Sequence, residues 1–325
     1  MQRSAGFAHN HWGTGKNTAI FFEESGRNLR GLLSDDLAGN SYSSITILGR
    51  PLVIYNIEKL SQIFGKINRI FLPAGVSKLA NEIAENFPEV QIDEYTDSSK
   101  DKLRENALNI PLDSLVIKSP NGECATSHLV YPWDILKAME YVLETEVRTS
   151  TISKDASIES GSVVDGPCLI EAGVSIDNFC KIKGPVYIGT DCKVGTGSLV
   201  RNSMLGPACT IGFSCEVARS YVAGHDTFPH YDAILDSVVG EHTWMGGYVA
   251  ITNVMLNNKE VMYKIDGELV KTGLFHFGAV IGHHCTIGAA VVILPGRYMP
   301  PHSFIPPHVL YSSAEKKLEP AGLRM

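Results

Sequence analysis

The chain has 325 residues, of which 44% are hydrophobic and 19% are charged, a composition typical of a folded globular protein that can hold two domains. Its formal charge of −7 at pH 7 and its scattered basic residues argue against a nucleic-acid-binding protein. No apolar run approaches the roughly 18 residues that a membrane helix needs, and the first residues lack the apolar segment of a secretory signal. We therefore expect a cytoplasmic protein without nucleic-acid or membrane partners.

Residues 1–145 predict a small α/β domain. Within residues 45–75 the apolar pattern indicates a strand, an amphipathic helix and a second strand. A further helix is expected after Tyr131-Pro132-Trp133-Asp134, close to the end of this domain.

From residue 151 onward, an aliphatic residue recurs at every sixth position. The first nine of these anchors are Ile152, Ile158, Val164, Ile170, Ile176, Ile182, Ile188, Val194 and Val200. A half-buried strand has period two and a helix has period 3.6, so period six favours a hexapeptide β-helix, in which three hexads complete one triangular coil. We predict this solenoid over residues 146–310, followed by a tail at 311–325.

Six of the seven cysteines precede an anchor by two residues, where such a coil points a small side chain inward. They are Cys168, Cys180, Cys192, Cys209, Cys215 and Cys285. Because free cysteine packs as a small hydrophobe, we predict that these six are core residues and form neither disulfides nor metal sites.

The period is interrupted between Val222 and Val239 and again between Ile251 and Ile281. Binding residues of solenoids lie on segments that leave the coil, so both interruptions are candidate functional loops. The second contains a predicted hairpin that turns at Asp266-Gly267, although a simple surface loop is an alternative. The first contains His225 and His230.

Residues 151–310 resemble the left-handed parallel β-helix of hexapeptide-repeat acyltransferases. The order of motifs is similar to that of the archaeal-type bifunctional enzymes that combine a sugar-1-phosphate nucleotidyltransferase with an amino-sugar acetyltransferase. The motifs are Leu199-Val200-Arg201, Glu216-Val217-Ala218, Pro229-His230-Tyr231-Asp232-Ala233, Asp236-Ser237-Val238-Val239-Gly240, Gly246-Gly247-Tyr248-Val249, Asn253 and Phe277-Gly278-Ala279-Val280-Ile281-Gly282. The resemblance implies a homotrimer with sites between the prisms.

The resemblance also implies roles for individual residues. His230 becomes the general base that takes the proton when an acceptor attacks the thioester of acetyl-coenzyme A (acetyl-CoA), a task for which a neutral imidazole is suited. Arg201, Glu216 and Asn253 become substrate-binding residues. The chemistry also requires a backbone N–H donor to the tetrahedral intermediate, and the glycine-rich turn Gly246-Gly247 can approach closely enough to supply one.

Three residues depart from the pattern of the family. Ala218 replaces a phosphate-binding lysine, Ala233 replaces a tyrosine and Trp244 replaces a substrate-binding asparagine. Two hypotheses therefore stay open. One is an acyl-CoA-dependent transferase acting on an amine or hydroxyl of a sugar phosphate or sugar nucleotide. The other is a non-catalytic relative that binds a sugar nucleotide or a partner protein.

A zinc site is a third hypothesis, because His225 and His230 have the spacing seen in hexapeptide-repeat carbonic anhydrases. Those enzymes need another histidine about two coils earlier, and none lies between His128 and His225. We therefore predict no metal.

The amino-terminal domain resembles a shortened sugar nucleotidyltransferase. The resemblance is carried by Arg50-Pro51-Leu52-Val53-Ile54-Tyr55 and by Tyr131-Pro132-Trp133-Asp134-Ile135-Leu136. The Gly-x-Gly-x-Arg phosphate loop of that family is missing, so nucleotidyl transfer is predicted to be lost. The whole chain is thus predicted to be mostly β, a left-handed β-helix preceded by a smaller α/β nucleotidyltransferase-like domain.

Overall fold

The computed structural model describes residues 18–23, 45–105, 107–118 and 124–312. They form two compact units that divide between Val130 and Tyr131. The boundary predicted at residues 145–146 thus lies one helix later than the observed division. Tyr311, predicted to begin the tail, is 7% exposed in the last strand of the β-helix, whereas the rest of that tail beyond Ser312 lies outside the described residues.

The first unit is a small α/β fold. Its elements are β1 (Thr18–Glu23), β2 (Thr46–Ile47), β3 (Arg50–Pro51), α1 (Leu52–Phe64), β4 (Ile67–Pro73), α2 (Ser77–Asn86), β5 (Gln91–Tyr95), α3 (Lys100–Arg104), β6 (Leu108–Pro111), β7 (Ser114–Lys118) and β8 (Cys124–His128). A parallel sheet has the order β5-β4-β1-β6, and β7 and β8 form an antiparallel pair.

The strand, helix and second strand predicted over residues 45–75 are confirmed. Helix α1 buries its apolar face against the sheet and ends before Gly65, whose φ of 84° is readily adopted by glycine. The side chain of Asn56 is fully buried, donates to Ser114 O at 2.7 Å and accepts from Val116 N–H at 2.8 Å. These two bonds satisfy the buried amide and join α1 to β7.

The second unit begins with α4 (Pro132–Glu146) and continues into a left-handed β-helix with three parallel sheets of eight strands each. The first sheet contains β9 (Thr151–Ile152), β12 (Cys168–Ile170), β15 (Val186–Ile188), β18 (Met204–Leu205), β21 (Tyr221–Val222), β24 (Val238–Val239), β29 (Ala279–Ile281) and β32 (Arg297–Met299). The second contains β10 (Ser157–Ile158), β13 (Ser175–Ile176), β16 (Lys193–Val194), β19 (Thr210–Phe213), β22 (Thr227–His230), β25 (Trp244–Met245), β30 (Thr286–Ile287) and β33 (Phe304–Ile305). The third contains β11 (Val163–Asp165), β14 (Lys181–Lys183), β17 (Leu199–Arg201), β20 (Glu216–Ala218), β23 (Ala233–Leu235), β26 (Ala250–Ile251), β31 (Val292–Ile293) and β34 (Leu310–Tyr311).

The core of this unit is a continuous column of anchors. In-register pairs such as Ile182 on Val200 place each anchor above its equivalent in the preceding coil. Every coil therefore buries its apolar side chains only against its neighbours, as expected for a solenoid. The six cysteines predicted to be core residues are confirmed, because all are free and at most 2% exposed.

The predicted hairpin between Ile251 and Ile281 is also confirmed. Its strands are β27 (Met262–Ile265) and β28 (Glu268–Lys271). The turn residues Asp266 and Gly267 both have positive φ, the geometry that matches the twist of two-residue hairpins. The hairpin is packed against α4, since the Trp133 ring lies 5.4 Å from the Tyr263 ring, measured between centroids.

None of the four helices in the described part of the chain has the length and hydropathy required to cross a membrane.

Candidate functional site

The coil that carries His230 is complete. The interruption predicted between Val222 and Val239 is wrong, because Phe228 and Ile234 occupy the two intervening anchor positions and are both fully buried. A phenylalanine breaks the aliphatic pattern without breaking the fold. His230 therefore lies at the exposed end of β22, in register with Phe213 of the preceding coil, and not in an extruded loop.

The backbone around His230 is fixed by the neighbouring coils. Its carbonyl accepts a hydrogen bond from Tyr248 N–H at 2.9 Å, and the next residue, Tyr231, donates its N–H to Phe213 O at 2.9 Å. A Cβ at Gly247 would lie 3.3 Å from the His230 carbonyl oxygen, so this glycine approaches the histidine closely. The imidazole thus projects from a well-determined corner between the second and third sheets.

Gly246 and Gly247 were predicted as backbone donors to the tetrahedral intermediate, but the N–H of Gly246 already makes a hydrogen bond within the β-helix. Its N–H donates to Ile287 O at 2.7 Å as part of the coil-to-coil ladder. A Cβ there would lie 2.5 Å from Ala289 N, which explains why glycine occupies this position. Gly247 is therefore the better candidate for a backbone donor near His230.

Arg201 and Glu216 are brought together on the third sheet. Arg201 Nε and Nη2 donate to the same oxygen, Glu216 Oε1, at 3.0 and 2.8 Å. The two side chains are 28% and 37% exposed, so the pair is accessible to a ligand. A charge-assisted pair of this kind holds both side chains in one orientation.

Asn253 belongs to a second polar cluster at the corner that follows the third sheet. Its Nδ2 donates to Asp236 Oδ2 at 2.5 Å, and Arg219 makes a bidentate pair with Asp236, with two bonds of 2.6 Å. Asp236 raises the pKa of Arg219 by this hydrogen bonding. Asp236 and Arg219 were not predicted as site residues, although the spacing of an Asp and an Arg one coil apart is a visible signal.

The three departures from the family pattern have different environments. Ala218 is fully buried on β20, and Ala233 pairs with Glu216 on the neighbouring strand. Trp244 is 48% exposed on β25, beside Thr227. No side chain at 218 or 233 can therefore donate to a phosphate.

The predicted site residues thus form two groups. Arg201 and Glu216 contact each other, and Asn253 contacts Asp236, all along the third sheet and its following corner. His230 lies at the corner between the second and third sheets. It is three residues before Ala233, which pairs with Glu216 on the neighbouring strand. Among the described residues, no hydrogen bond joins the His230 side chain to either group.

The coil of His230 also contains two buried carboxylates that were not predicted as site residues. Asp226 is fully buried and accepts from Thr243 N–H at 2.7 Å and Gly224 N–H at 3.1 Å. Asp232 is 1% exposed and accepts from Val249 N–H at 2.8 Å. Both side chains occupy the inward position two residues before an anchor, so an aspartate at that position was the available signal.

Burial raises the pKa of both carboxyl groups. Burial raises the pKa of Asp232 to about 6. The backbone N–H groups of Val249 and His230 favour the ionised form and so oppose this rise. The pKa of Asp226 is raised well above its usual range, opposed by the N–H groups of Thr243 and Gly224. Desolvation penalises the charged form of each group, and hydrogen bonding only partly offsets it.

A third feature is a column of histidines at the corner between the first and second sheets. His225, His242, His284 and His302 follow one another with centroid separations of 4.8, 4.8 and 5.0 Å. Desolvation and then the neighbouring His242, His302 and His283 lower the pKa of His284. His225 belongs to this column and His230 does not, and within the described residues no group of three metal-ligating side chains is arranged to hold an ion.

Comparison with known proteins agrees with the repeat pattern. The sequence profile of the family described as "Bacterial transferase hexapeptide (six repeats)" matches residues 167–202. The chain is related to the hexapeptide-repeat transferases. The β-helix and the small α/β unit are the fold expected from that relationship.

Two curated relatives extend the similarity over three quarters of the chain. The bifunctional protein GlmU of Methanococcus aeolicus is 31% identical over 250 residues, covering 75% of this chain and 57% of that protein. A bifunctional sugar-1-phosphate nucleotidylyltransferase/acetyltransferase of Sulfurisphaera tokodaii is 28% identical over 249 residues, covering 75% of this chain and 60% of that protein. This hexapeptide-repeat chain thus spans less than two thirds of the length of either relative.

Among solved structures, PerB from Caulobacter crescentus, in complex with CoA and GDP-perosamine, aligns over 95% of this chain and 96% of its own. Its sequence identity is 13% and the TM-score is 0.23, values too low to carry a functional argument.

Proposed function

We propose that the protein is an acyl-CoA-dependent acyltransferase that acts on an amine or hydroxyl of a sugar nucleotide or sugar phosphate, with acetyl-CoA as the donor and His230 as the general base. The observation that carries this proposal is the fixed, exposed position of His230 one corner away from the Arg201–Glu216 pair. The similarity over 249 residues to a bifunctional sugar-1-phosphate nucleotidylyltransferase/acetyltransferase supports it.

In the proposed reaction, the acceptor nitrogen or oxygen attacks the thioester carbonyl and forms the new bond. His230 takes the acceptor proton, and the C–S bond then breaks as coenzyme A leaves and receives a proton. The negative charge that develops on the carbonyl oxygen needs a donor, for which the N–H of Gly247, a residue that packs closely against the His230 backbone, is the candidate.

Arg201, Glu216 and Asn253 are assigned to the acceptor. Both arginines of this surface are already paired with carboxylates, Arg201 with Glu216 and Arg219 with Asp236. Because position 218 also has no lysine, the cation left for a phosphate in this register of the described residues is the exposed Lys183, which lies on the preceding strand in register with Arg201 and two strands from position 218. This favours a sugar nucleotide, whose phosphates can lie farther away, over a sugar 1-phosphate.

We also propose that the β-helix assembles as a homotrimer. A solenoid of this class has flat outer faces that suit side-by-side association, and the accessible polar clusters would then line a cleft between copies. Sedimentation at micromolar concentration should give three times the 35.4 kDa mass of one chain, and a monomer would contradict this assembly.

The function is tested by assaying the full-length protein with acetyl-CoA and matched pairs of acceptors, an amino-sugar 1-phosphate and the corresponding nucleoside-diphosphate amino sugar. Coenzyme A release is followed with a thiol reagent, for which the six buried cysteines keep the background low. Transfer to the nucleotide-linked acceptors is expected, without pyrophosphate release from nucleoside triphosphates.

Calorimetric titration with coenzyme A provides the second arm of this experiment. Absence of both coenzyme A binding and acyl transfer would overturn the acyltransferase proposal and favour the non-catalytic alternative, a protein that binds a sugar nucleotide without turnover. Release of pyrophosphate from a triphosphate and a sugar phosphate would contradict the predicted loss of nucleotidyl transfer.

A further inference from the structure

Exposed aromatic rings lie next to His230, at the corner between the second and third sheets. The rings of Tyr231 and Tyr248 are stacked, with 4.8 Å between their centroids and 17° between their planes. Phe213 packs edge-on against Tyr231, with 5.3 Å between centroids and 87° between planes. Tyr231 is 46% exposed and Tyr248 is 63% exposed. These three residues, here called the corner stack, form a continuous aromatic surface that faces solvent.

The backbone of this corner does not require large rings. Tyr231 and Tyr248 have φ values of 58° and 66°, a conformation that bulky side chains rarely adopt. The equivalent position in the other coils is held by four small residues, one further ring and one imidazole: Gly161, Gly197, Ser214, Ala290, Phe179 and His308. Because unfavourable backbone conformations concentrate at binding sites, the two tyrosines are candidates for contact with a ligand.

One face of the Tyr248 ring is not covered by the next coil. The N–H of Tyr248 donates to His230 O at 2.9 Å, and Ala290 makes the equivalent bond one coil later, to Gly247 O at 2.9 Å. Tyr231 lies on the first face of the Tyr248 ring, which has no second aromatic neighbour among the described residues. An alanine is too small to cover the opposite face. A planar ligand can therefore continue the stack in the coil of Ala290.

A nucleobase is the ligand class that suits this surface. The side chains of the corner stack are aromatic and uncharged at pH 7, so they favour a flat ring over a phosphate. Every base has a π-face that can stack on tyrosine, and stacking of this kind needs no matched hydrogen bonds. The corner stack therefore contributes affinity for a base and discriminates little between bases.

The corner stack and the Arg201–Glu216 pair lie on opposite sides of His230 along the axis of the β-helix. Strand β20, which carries Glu216, is followed in the third sheet by β23, β26 and β31. Ala290 lies two residues before β31, so its coil is three strand spacings, or about 14 Å, beyond that of Glu216. A sugar nucleotide has a diphosphate between its sugar and its base, and can extend along this direction with the sugar at His230. The adenine of coenzyme A is separated from the thioester by the longer pantetheine arm, which favours the acceptor as the source of the base.

We propose that the corner stack is the binding site for the nucleobase of the sugar-nucleotide acceptor, which stacks on the free face of Tyr248 next to Ala290. This inference rests on the proposed function, which supplies the acceptor. Phe213 and Tyr231 support the Tyr248 ring from the other side. The contact is made by the aromatic ring and not by the tyrosine hydroxyl.

Four variants separate stacking from other effects. Tyr248→Ala removes the ring, and Tyr248→Phe keeps it without the hydroxyl. Phe179→Ala is the matched control, because Phe179 is 72% exposed at the same corner position of an earlier coil, away from His230. Ala290→Tyr adds a ring on the free face of Tyr248, at a position where the two preceding coils already have tyrosine. It should fill the site without disturbing the fold.

The first measurement is calorimetric titration of the full-length protein with ADP, CDP, GDP and UDP, and with inorganic pyrophosphate as the probe that lacks a base. We expect nucleoside diphosphates to bind and pyrophosphate to bind far more weakly. Tyr248→Ala and Ala290→Tyr should raise the nucleoside diphosphate Kd about 5- to 100-fold, whereas Tyr248→Phe and Phe179→Ala should stay within twofold of wild type. Equal Kd values in wild type and Tyr248→Ala, or no nucleoside diphosphate binding by wild type, would overturn the inference.

The second measurement is kcat/KM for acyl transfer to a nucleoside-diphosphate amino sugar and to the corresponding amino-sugar 1-phosphate. Tyr248→Ala should lower the value for the nucleotide-linked acceptor alone, with an unchanged KM for acetyl-CoA. An equal loss for both acceptors would assign the corner stack to the sugar ring, and a raised KM for acetyl-CoA alone would assign it to the adenine of coenzyme A. Either result would overturn the inference. No acyl transfer by wild type, with nucleotide binding that still depends on Tyr248, would overturn the proposed function and not the nucleobase site.

Discussion

The coil that contains His230 and the coil before it have the same backbone and different interiors. In the earlier coil the inward positions are Cys209, Cys215 and Ser220, all buried and neutral. In the later coil the first two become Asp226 and Asp232. The difference teaches that a regular repeat makes an exceptional residue easy to recognise, because every position can be compared with its equivalents in the neighbouring coils.

The largest effect should come from breaking the packing that the two coils share. Phe228 fills an anchor position of the later coil and is fully buried. Phe228→Ala should lower the free energy of unfolding by about 3–5 kcal/mol, since it leaves a cavity between coils that relax only partly. Urea unfolding measures this loss.

Phe213→Ala is the control for that substitution, because Phe213 is 43% exposed at the neighbouring corner. It should cost less than about 1 kcal/mol. Similar losses for both variants would mean that Phe228 is not an anchor and that the coil is interrupted after all.

The next effect concerns the buried charge. Because the folded state raises the pKa of Asp232 to about 6, it binds a proton more tightly than the unfolded chain does. The stability of the wild-type protein should therefore fall as the pH rises from about 4 to 6, and Asp232→Ser should remove this decline. At pH 7 the variant should be more stable by about 2 kcal/mol, with little gain at pH 4.

Thermal unfolding of the wild-type protein and of Asp232→Ser between pH 4 and pH 7 measures whether the substitution raises or lowers stability. A variant that is less stable than wild type at pH 7 would show that the carboxylate contributes more through its hydrogen bonds than burial costs it.

A smaller effect is expected from the Arg201–Glu216 pair. Arg201→Ala should raise KM for the acceptor roughly 10- to 100-fold, the equivalent of one charge-assisted hydrogen bond, and leave coenzyme A binding unchanged. Lys181→Ala is the control, because Lys181 is 51% exposed on the same sheet. An equal change of KM in both variants would indicate a general loss of positive charge and not a specific contact.

The β-helix was predictable from sequence because burial imposes the same requirement at every sixth residue. The period located the core, the inward cysteines and the hairpin at Asp266-Gly267. It failed at Phe228, where an aromatic residue fills an aliphatic position, and so His230 was predicted in a loop although it ends a strand.

The candidate site was predictable only in part. Arg201, Glu216 and Asn253 were predicted by resemblance, whereas the contact of Arg219 and Asn253 with Asp236 was not predicted, although these residues are spaced one coil apart. That contact depends on the corner between the third and first sheets, which brings residues 17 positions apart into contact across coils. Likewise the α4 helix was predicted in the first domain, because its apolar pattern does not specify which core it joins.

The central claim, that His230 is the base of an acyltransferase, is tested most directly by comparing His230→Ala with His225→Ala in the acyl-transfer assay. His225 lies five residues earlier at another corner, in the histidine column. His230→Ala should reduce kcat about 10²–10⁴-fold with little change in coenzyme A affinity or melting temperature, whereas His225→Ala should retain activity. Equal losses in both variants, restored by added zinc, would contradict the account and indicate a metal site.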